Sequence, residues 1–131
     1  MADCIFCKIV AGEIPAAKVH EDELSVAFLD INPVGDGHTL LIPKAHHQMM
    51  SDTPDDLVAA LYVTAKQLMV RIKQAMTADF VVLSVVGIDV PHFHIHLIPR
   101  HNSDGLANFW PTKKYAKGQI EAVADKIRSA S

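Results

Sequence analysis

Apolar and polar positions along this chain follow two periods, and the switch between them marks out its elements. Residues 17–21 and 24–31 alternate with period two and read as the strands of a hairpin, turning at Glu21-Asp22-Glu23. Val26, Phe28 and Asp30 share one face of the second strand. Asp30-Ile31-Asn32-Pro33 then breaks it, so Asp30 reads equally well as a turn residue. After Val34-Gly35-Asp36-Gly37, a third strand runs from His38 to Pro43. Its nearly continuous Leu40, Leu41 and Ile42 predict a central position. The helical period follows. Thr53 is suited to the N-cap, Pro54 to the first helical position, and Asp55 and Asp56 to the first turn. Leu57, Leu61, Ala65, Leu68 and Ile72 mark one face to about Met76, with Met69 and Met76 as packing residues and Lys66, Arg71 and Lys73 in solvent.

Phe80 to Val86 is an apolar, β-branched fourth strand. The tight link Gly87-Ile88-Asp89-Val90-Pro91 makes it the antiparallel neighbour of a fifth. At the start of the chain, Ile5, Phe6 and Ile9 predict a short helix ending near Gly12. At the far end, Ile120, Val123 and Ile127 predict a closing helix over residues 117–129. Between them, residues 101–114 have little period, hold the only Trp, and are expected to fold back over the sheet. The fold class is therefore α+β: a five-stranded antiparallel sheet with one long and one C-terminal helix.

The fifth strand carries the chemistry. In His92-Phe93-His94-Ile95-His96-Leu97-Ile98 the histidines alternate with apolar residues. Side chains alternate faces along a strand, so the three imidazoles share one face, with Cα atoms of successive members ~6.6 Å apart, while Phe93, Ile95 and Leu97 point into a core. Pro99 ends or edges the strand. Such a row of imidazoles suits either metal ligation or nucleophilic chemistry, and spacing alone does not choose. Cys4-Ile-Phe-Cys7 is compatible with buried packing, a redox pair or half a zinc site, and His46 or His47 offers further ligands.

Composition narrows the function classes. The 131 residues allow one domain with a real core, and 50% apolar with 21% charged residues is ordinary for a globular protein. A net charge of -3 gives no basic surface for nucleic acid. No apolar run approaches the roughly 18 residues of a membrane helix. Met1-Ala2-Asp3-Cys4 lacks the basic and apolar regions of a signal peptide, so a cytoplasmic protein is expected.

The histidine run resembles the signature of the histidine triad (HIT) family of nucleotide-binding proteins. Further stretches are similar to the family: Cys4-Ile-Phe-Cys-Lys-Ile-Val, Gly12-Glu-Ile-Pro-Ala, Ala27-Phe-Leu-Asp-Ile, Pro33, and Gly37-His-Thr-Leu-Leu-Ile-Pro-Lys-Ala-His46. Residues 4–100 are covered, and the whole chain, 1–131, is expected to be a single HIT domain. The resemblance implies a homodimer whose sheet continues across two protomers. It implies a hydrolase or nucleotidyl transferase acting at the α-phosphate of purine nucleoside phosphoramidates or related adenylyl compounds. The alternatives are a nucleotide-binding or scaffolding protein of weak activity, a dinucleoside polyphosphate hydrolase, and a metal hydrolase built on the three histidines.

Residue by residue, the resemblance implies His94 as nucleophile and His96 as a donor to the phosphate. It implies His38 as a fourth histidine beside the phosphate, Asp30 as acceptor of the ribose hydroxyls, and Phe6, Phe28 and Ile31 as the base pocket. Many members carry an Asn on the fourth strand and a Gly-Gln-Ser/Thr loop before the triad. Here Ser84 stands near the Asn position, the loop is about three residues shorter and lacks the Gln, and Gly87, Asp89 and Val90 occupy it. Ser84, Gly87 and Val90 are thus the remaining candidates for nucleotide binding. The resemblance to bacterial-type members further implies structural zinc on Cys4, Cys7, His46 and His92.

Overall fold

A computed structural model describes residues 4–106 and 112–130. Helix α1 (Ile5–Val10) leads into strands β1 (Lys18–Glu21), β2 (Ser25–Leu29) and β3 (Thr39–Pro43). A 3₁₀ turn (Met50–Asp52) precedes helix α2 (Asp55–Ala75), followed by β4 (Phe80–Ser84), β5 (Ile95–Arg100) and α3 (Gln119–Ser129). The five strands form one antiparallel sheet in the order β1-β2-β3-β5-β4. The run Leu40-Leu41-Ile42 does lie in the central strand, buried on both faces.

The sheet sorts its side chains by the strand period. Ala27, Leu41, Ile95 and Leu97 face α2 and pack with its Leu61, Ala65, Leu68 and Ile72. Met69 and Met76 pad the edge of that core. Val26, Phe28, Leu40 and Ile42 face the other way and pack with Cys4, Phe6 and Ile9 from α1. The sheet thus has a thick side, closed by a 21-residue helix, and a thin side, closed by six residues. The thin side leaves room for a ligand.

Several local expectations change. The helix start does not use Thr53 as its cap: Thr53 Oγ1 donates to the Met49 carbonyl, 2.8 Å away, and closes the 3₁₀ turn, while Pro54 takes the capping position without a side-chain bond. Regular pairing of β5 begins at Ile95, so His92 and His94 lie just before it. Pro99 does not end the strand. It pairs with Val81 of β4 at a point where β3, whose pairing stops at Leu97, no longer flanks β5. Helix α3 forms as expected but buries no residue, and Ile120 and Ile127 remain exposed. The expected fold-back falls partly on residues 107–111, outside the described residues. No helix among the described residues is long and apolar enough to cross a membrane.

Candidate functional site

The thin side of the sheet holds a cavity of about 400 Å³. Its buried end is formed by Phe6 and Ile9 of α1 with Phe28 and Leu40 of the sheet. Phe6 meets Phe28 edge-to-face at 5.5 Å between ring centroids. Asp30, Ile31 and Asn32 from the end of β2, and Asp89 and Val90 from the loop before β5, form its rim. His94 and His96 stand in its wall. Phe6, Phe28, Asp30, Ile31, Val90, His94 and His96 are therefore gathered around one space. Ser84 and Gly87 lie outside that lining. Ser84 is the cross-strand partner of His96, and Gly87 takes a turn with φ +79° in open space.

The hydrogen bonds assign the ring nitrogens. His94 Nδ1 lies 2.7 Å from the His92 carbonyl, which only accepts. Nδ1 therefore carries the proton, and Nε2 keeps its lone pair. The Val34 N–H donates to His38 Nδ1 at 3.0 Å, so His38 is protonated on Nε2. That nitrogen lies 3.0 Å from His96 Nδ1 and donates to it. His96 is left with its proton on Nε2, a buried atom with no partner among the described residues. A buried donor without an acceptor is costly unless a ligand supplies one.

His38 owes its position to Gly37. At φ +90° a Cβ on residue 37 would lie 2.8 Å from Met76 Cγ, so the residue beside His38 has no side chain. Asp30 serves two ends. Its Oδ1 accepts from the Asn32 N–H at 2.9 Å, making an Asx turn, while Oδ2 lies 3.7 Å from His38 Nε2. The turn reading and the site reading of Asp30 thus describe different oxygens.

Burial holds His38 below the ordinary imidazole range against the opposing charge of Asp30. Burial does the same to His96, with His94 and His38 adding to it and Asp30 and Asp89 opposing. Both rings stay neutral at a pH where free imidazole is already charged.

A second cluster sits behind the first. Cys4, Cys7, His46 and His92 present two sulfurs and two ring nitrogens, all within 4.8 Å of one another. Cys7 Sγ lies 3.1 Å from His46 Nδ1 and Cys4 Sγ 3.4 Å from His92 Nδ1. His92 Nε2 donates to the Pro43 carbonyl at 2.8 Å, which turns the free Nδ1 lone pair toward the sulfurs. Two thiolates and two imidazoles in this arrangement fit tetrahedral zinc. The three triad histidines, by contrast, do not converge. His92 serves this cluster, His94 bonds to the main chain, and His96 bonds to His38, so a metal held jointly by the three has no donor set here.

Asn32, Asp89 and the Val34 N–H are site groups that the sequence reading did not assign. The signal for Asn32 was its place two residues after Asp30. The role of Val34 is carried by a backbone atom and leaves no trace in residue type.

A profile of the HIT domain matches residues 11–103. The chain belongs to the HIT-domain family. Protein hit of Bacillus subtilis is 39% identical over 137 residues, spanning 95% of this chain and 92% of its own length. An adenosine 5′-monophosphoramidase of Schizosaccharomyces pombe is 37% identical over 131 residues, 96% of each chain. Among solved HIT-fold neighbours, a protein from Streptococcus mutans superposes with a TM-score of 0.88 at 34% identity, over 98% of this chain and 85% of that one. A Zn-bound histidine triad family protein from Mycobacterium smegmatis superposes with a TM-score of 0.77 at 31% identity, over 99% of both.

Proposed function

We propose that this HIT protein hydrolyses purine nucleoside 5′-phosphoramidates or related adenylyl compounds through a nucleotidyl-histidine intermediate on His94. The observation that carries the reading is the pair of fixed tautomers at the cavity wall. His94 offers a lone pair on Nε2, and His96 offers a proton on Nε2 that nothing among the described residues accepts. A phosphoryl group completes both. The kinship with a monophosphoramidase supports the same substrate class.

The base enters the Phe6 and Phe28 slot with Ile31 at its edge, the ribose hydroxyls meet Asp30, and the α-phosphate sits between His94 and His96. His94 Nε2 attacks phosphorus, a P–N bond to the ring forms, and the bond to the leaving amine breaks. The amine leaves with that bond's electron pair and a proton from water. His96 Nε2–H holds the phosphoryl oxygens, and its charge state stays constant because His38 fixes its other nitrogen. In the second step water attacks phosphorus and the bond from phosphorus to the ring breaks; its electron pair returns to Nε2, leaving His94 neutral, and the proton shed by the attacking water neutralises the hydroxide left by the first step.

The test is direct. Wild-type protein mixed with adenosine 5′-phosphoramidate and quenched in alkali should carry a covalent adenylyl group on His94 by mass spectrometry. His94→Ala should bind AMP yet fail to turn over. Turnover by that variant close to wild type overturns the nucleophile assignment.

The Cys4, Cys7, His46 and His92 cluster is read as a structural zinc site, supported by its donor set and by the Zn-bound neighbour. When bound, zinc supplies a cross-link rather than chemistry at phosphorus. A homodimer joined along β4 is also part of the reading. Among the described residues that strand pairs on one side only, with β5, and all five of its residues are half-buried. Sedimentation at micromolar concentration should find twice the chain mass.

A further inference from the structure

The rim of the cavity carries a charge that the proposed reaction does not use. Asp89 stands on the loop between β4 and His94, lines the same cavity as His94 and His96, and is exposed. It hydrogen-bonds to no protein group among the described residues. Its charge nevertheless reaches His96, because it opposes the lowering of that ring. The other lining groups are accounted for by base, ribose and phosphate. Asp89 and the neighbouring exposed Asn32 are the polar groups left over, and they stand at the solvent end. In a phosphoramidate held with its base at the buried end, the leaving group is the part that extends toward solvent.

We propose that Asp89 sets the charge of the leaving group: the site prefers nucleoside 5′-phosphoramidates whose amine carries a second, cationic nitrogen, and disfavours adenylyl compounds with anionic leaving groups such as sulfate or polyphosphate. The inference rests on the reading that the α-phosphate binds beside His94. Its physical basis is Coulombic. A carboxylate at a half-open rim attracts an ammonium and repels an anion, and each effect is softened by water and salt. The two effects together amount to about tenfold in specificity between a cation and an anion at low ionic strength.

Three synthetic substrates with the same P–N bond isolate the effect: AMP joined through one nitrogen to ethylenediamine (cationic), propylamine (neutral) or β-alanine (anionic). Wild-type kcat/KM should fall in that order over about tenfold at low salt, and the span should shrink in 0.5 M NaCl, where the Debye length is only ~4 Å. In Asp89→Asn the three values should draw together to within about twofold. An unchanged ranking in Asp89→Asn, or no ranking in wild type, overturns the inference. Calorimetric binding of the same three compounds separates the two possible failures. Charge-ranked, Asp89-dependent affinity without turnover overturns the hydrolase reading and keeps the charge preference. Turnover without ranking does the reverse.

Discussion

His38 Nε2 lies 3.0 Å from His96 Nδ1, and this contact decides which way the His96 proton points. With Nδ1 occupied, His96 carries its proton on Nε2, a buried atom. On the proposed reading, His96→Ala removes a donor to the phosphoryl oxygens and should lower kcat about 10²–10³-fold, the usual loss for one such donor. His38→Ala leaves the donor in place but frees its tautomer, so a smaller loss, on the order of tenfold, is expected in kcat rather than KM. Steady-state kinetics on adenosine 5′-phosphoramidate check both. A His38→Ala loss confined to KM would show that the ring merely shapes the pocket.

The same two rings give the fold a pH slope. Both are held below the ordinary imidazole pKa by burial. Below about pH 6.5 the unfolded chain therefore binds protons that the folded chain refuses. Stability should rise with pH through this window and decline as pH drops from 7 toward 5. Urea midpoints measured across that range should show the slope, and His38→Gln with His96→Gln should reduce it, leaving the share of His92, which burial also lowers. Asp22 acts lower. Burial raises its carboxyl, but His20 and the Leu24 and Ser25 hydrogen bonds outweigh that and hold it at about 2, so its contribution is lost only below pH ~3.8. A slope confined to the acid region would rule out the histidine origin.

Zinc removal should be visible as lost stability. A metal held at a hundred times its dissociation constant adds about 2.7 kcal/mol to the folded state. For a chain of this size that is on the order of 10 °C in Tm. Chelation should lower Tm by about that much, and Cys7→Ser should abolish the response. Purified protein without zinc that gains no stability on adding it would mean that the four residues only pack.

Asp30 should discriminate sugars. A charged acceptor lost from paired hydroxyls costs ~1.5–3 kcal/mol, so Asp30→Ala should weaken AMP binding about ten- to a hundredfold. The 2′-deoxy analogue should bind wild type more weakly and lose less. Asp30→Asn keeps the Asx turn and isolates the charge. Equal losses for both sugars would leave Asp30 as a turn residue alone.

Much of the fold was legible because strand and helix periods are written in residue types. The α2 face from Leu61 to Ile72, the alternation of Phe93, Ile95 and Leu97, and the central β3 all follow from burial alone. Thr53 was misread because its hydroxyl had a nearer carbonyl, Met49, and a 3₁₀ turn is too short to show a period. The exposure of α3 was not legible either, since an apolar stripe states that a face wants cover but not where the cover is. In the site, residue types pointed to His94 and His96. The tautomers that distinguish their roles depend on the His92 carbonyl and the Val34 N–H, and main-chain groups look alike in every sequence.

Helix α1 gives the chain an unusual schedule. Cys4 and His92 are 88 positions apart in sequence, and their side chains end 3.4 Å apart. Closing so long a loop costs entropy that grows with its length, so the residues of α1 are expected to be among the last to dock. Until they do, the sheet and α2 can already be packed on their own side, while the slot between Phe6 and Phe28 does not exist. A chain clipped after its first ten residues keeps every strand partner and loses Phe6, Ile9 and both thiols at once. Loss of α1 would therefore strip the candidate site of its lining while leaving the sheet paired.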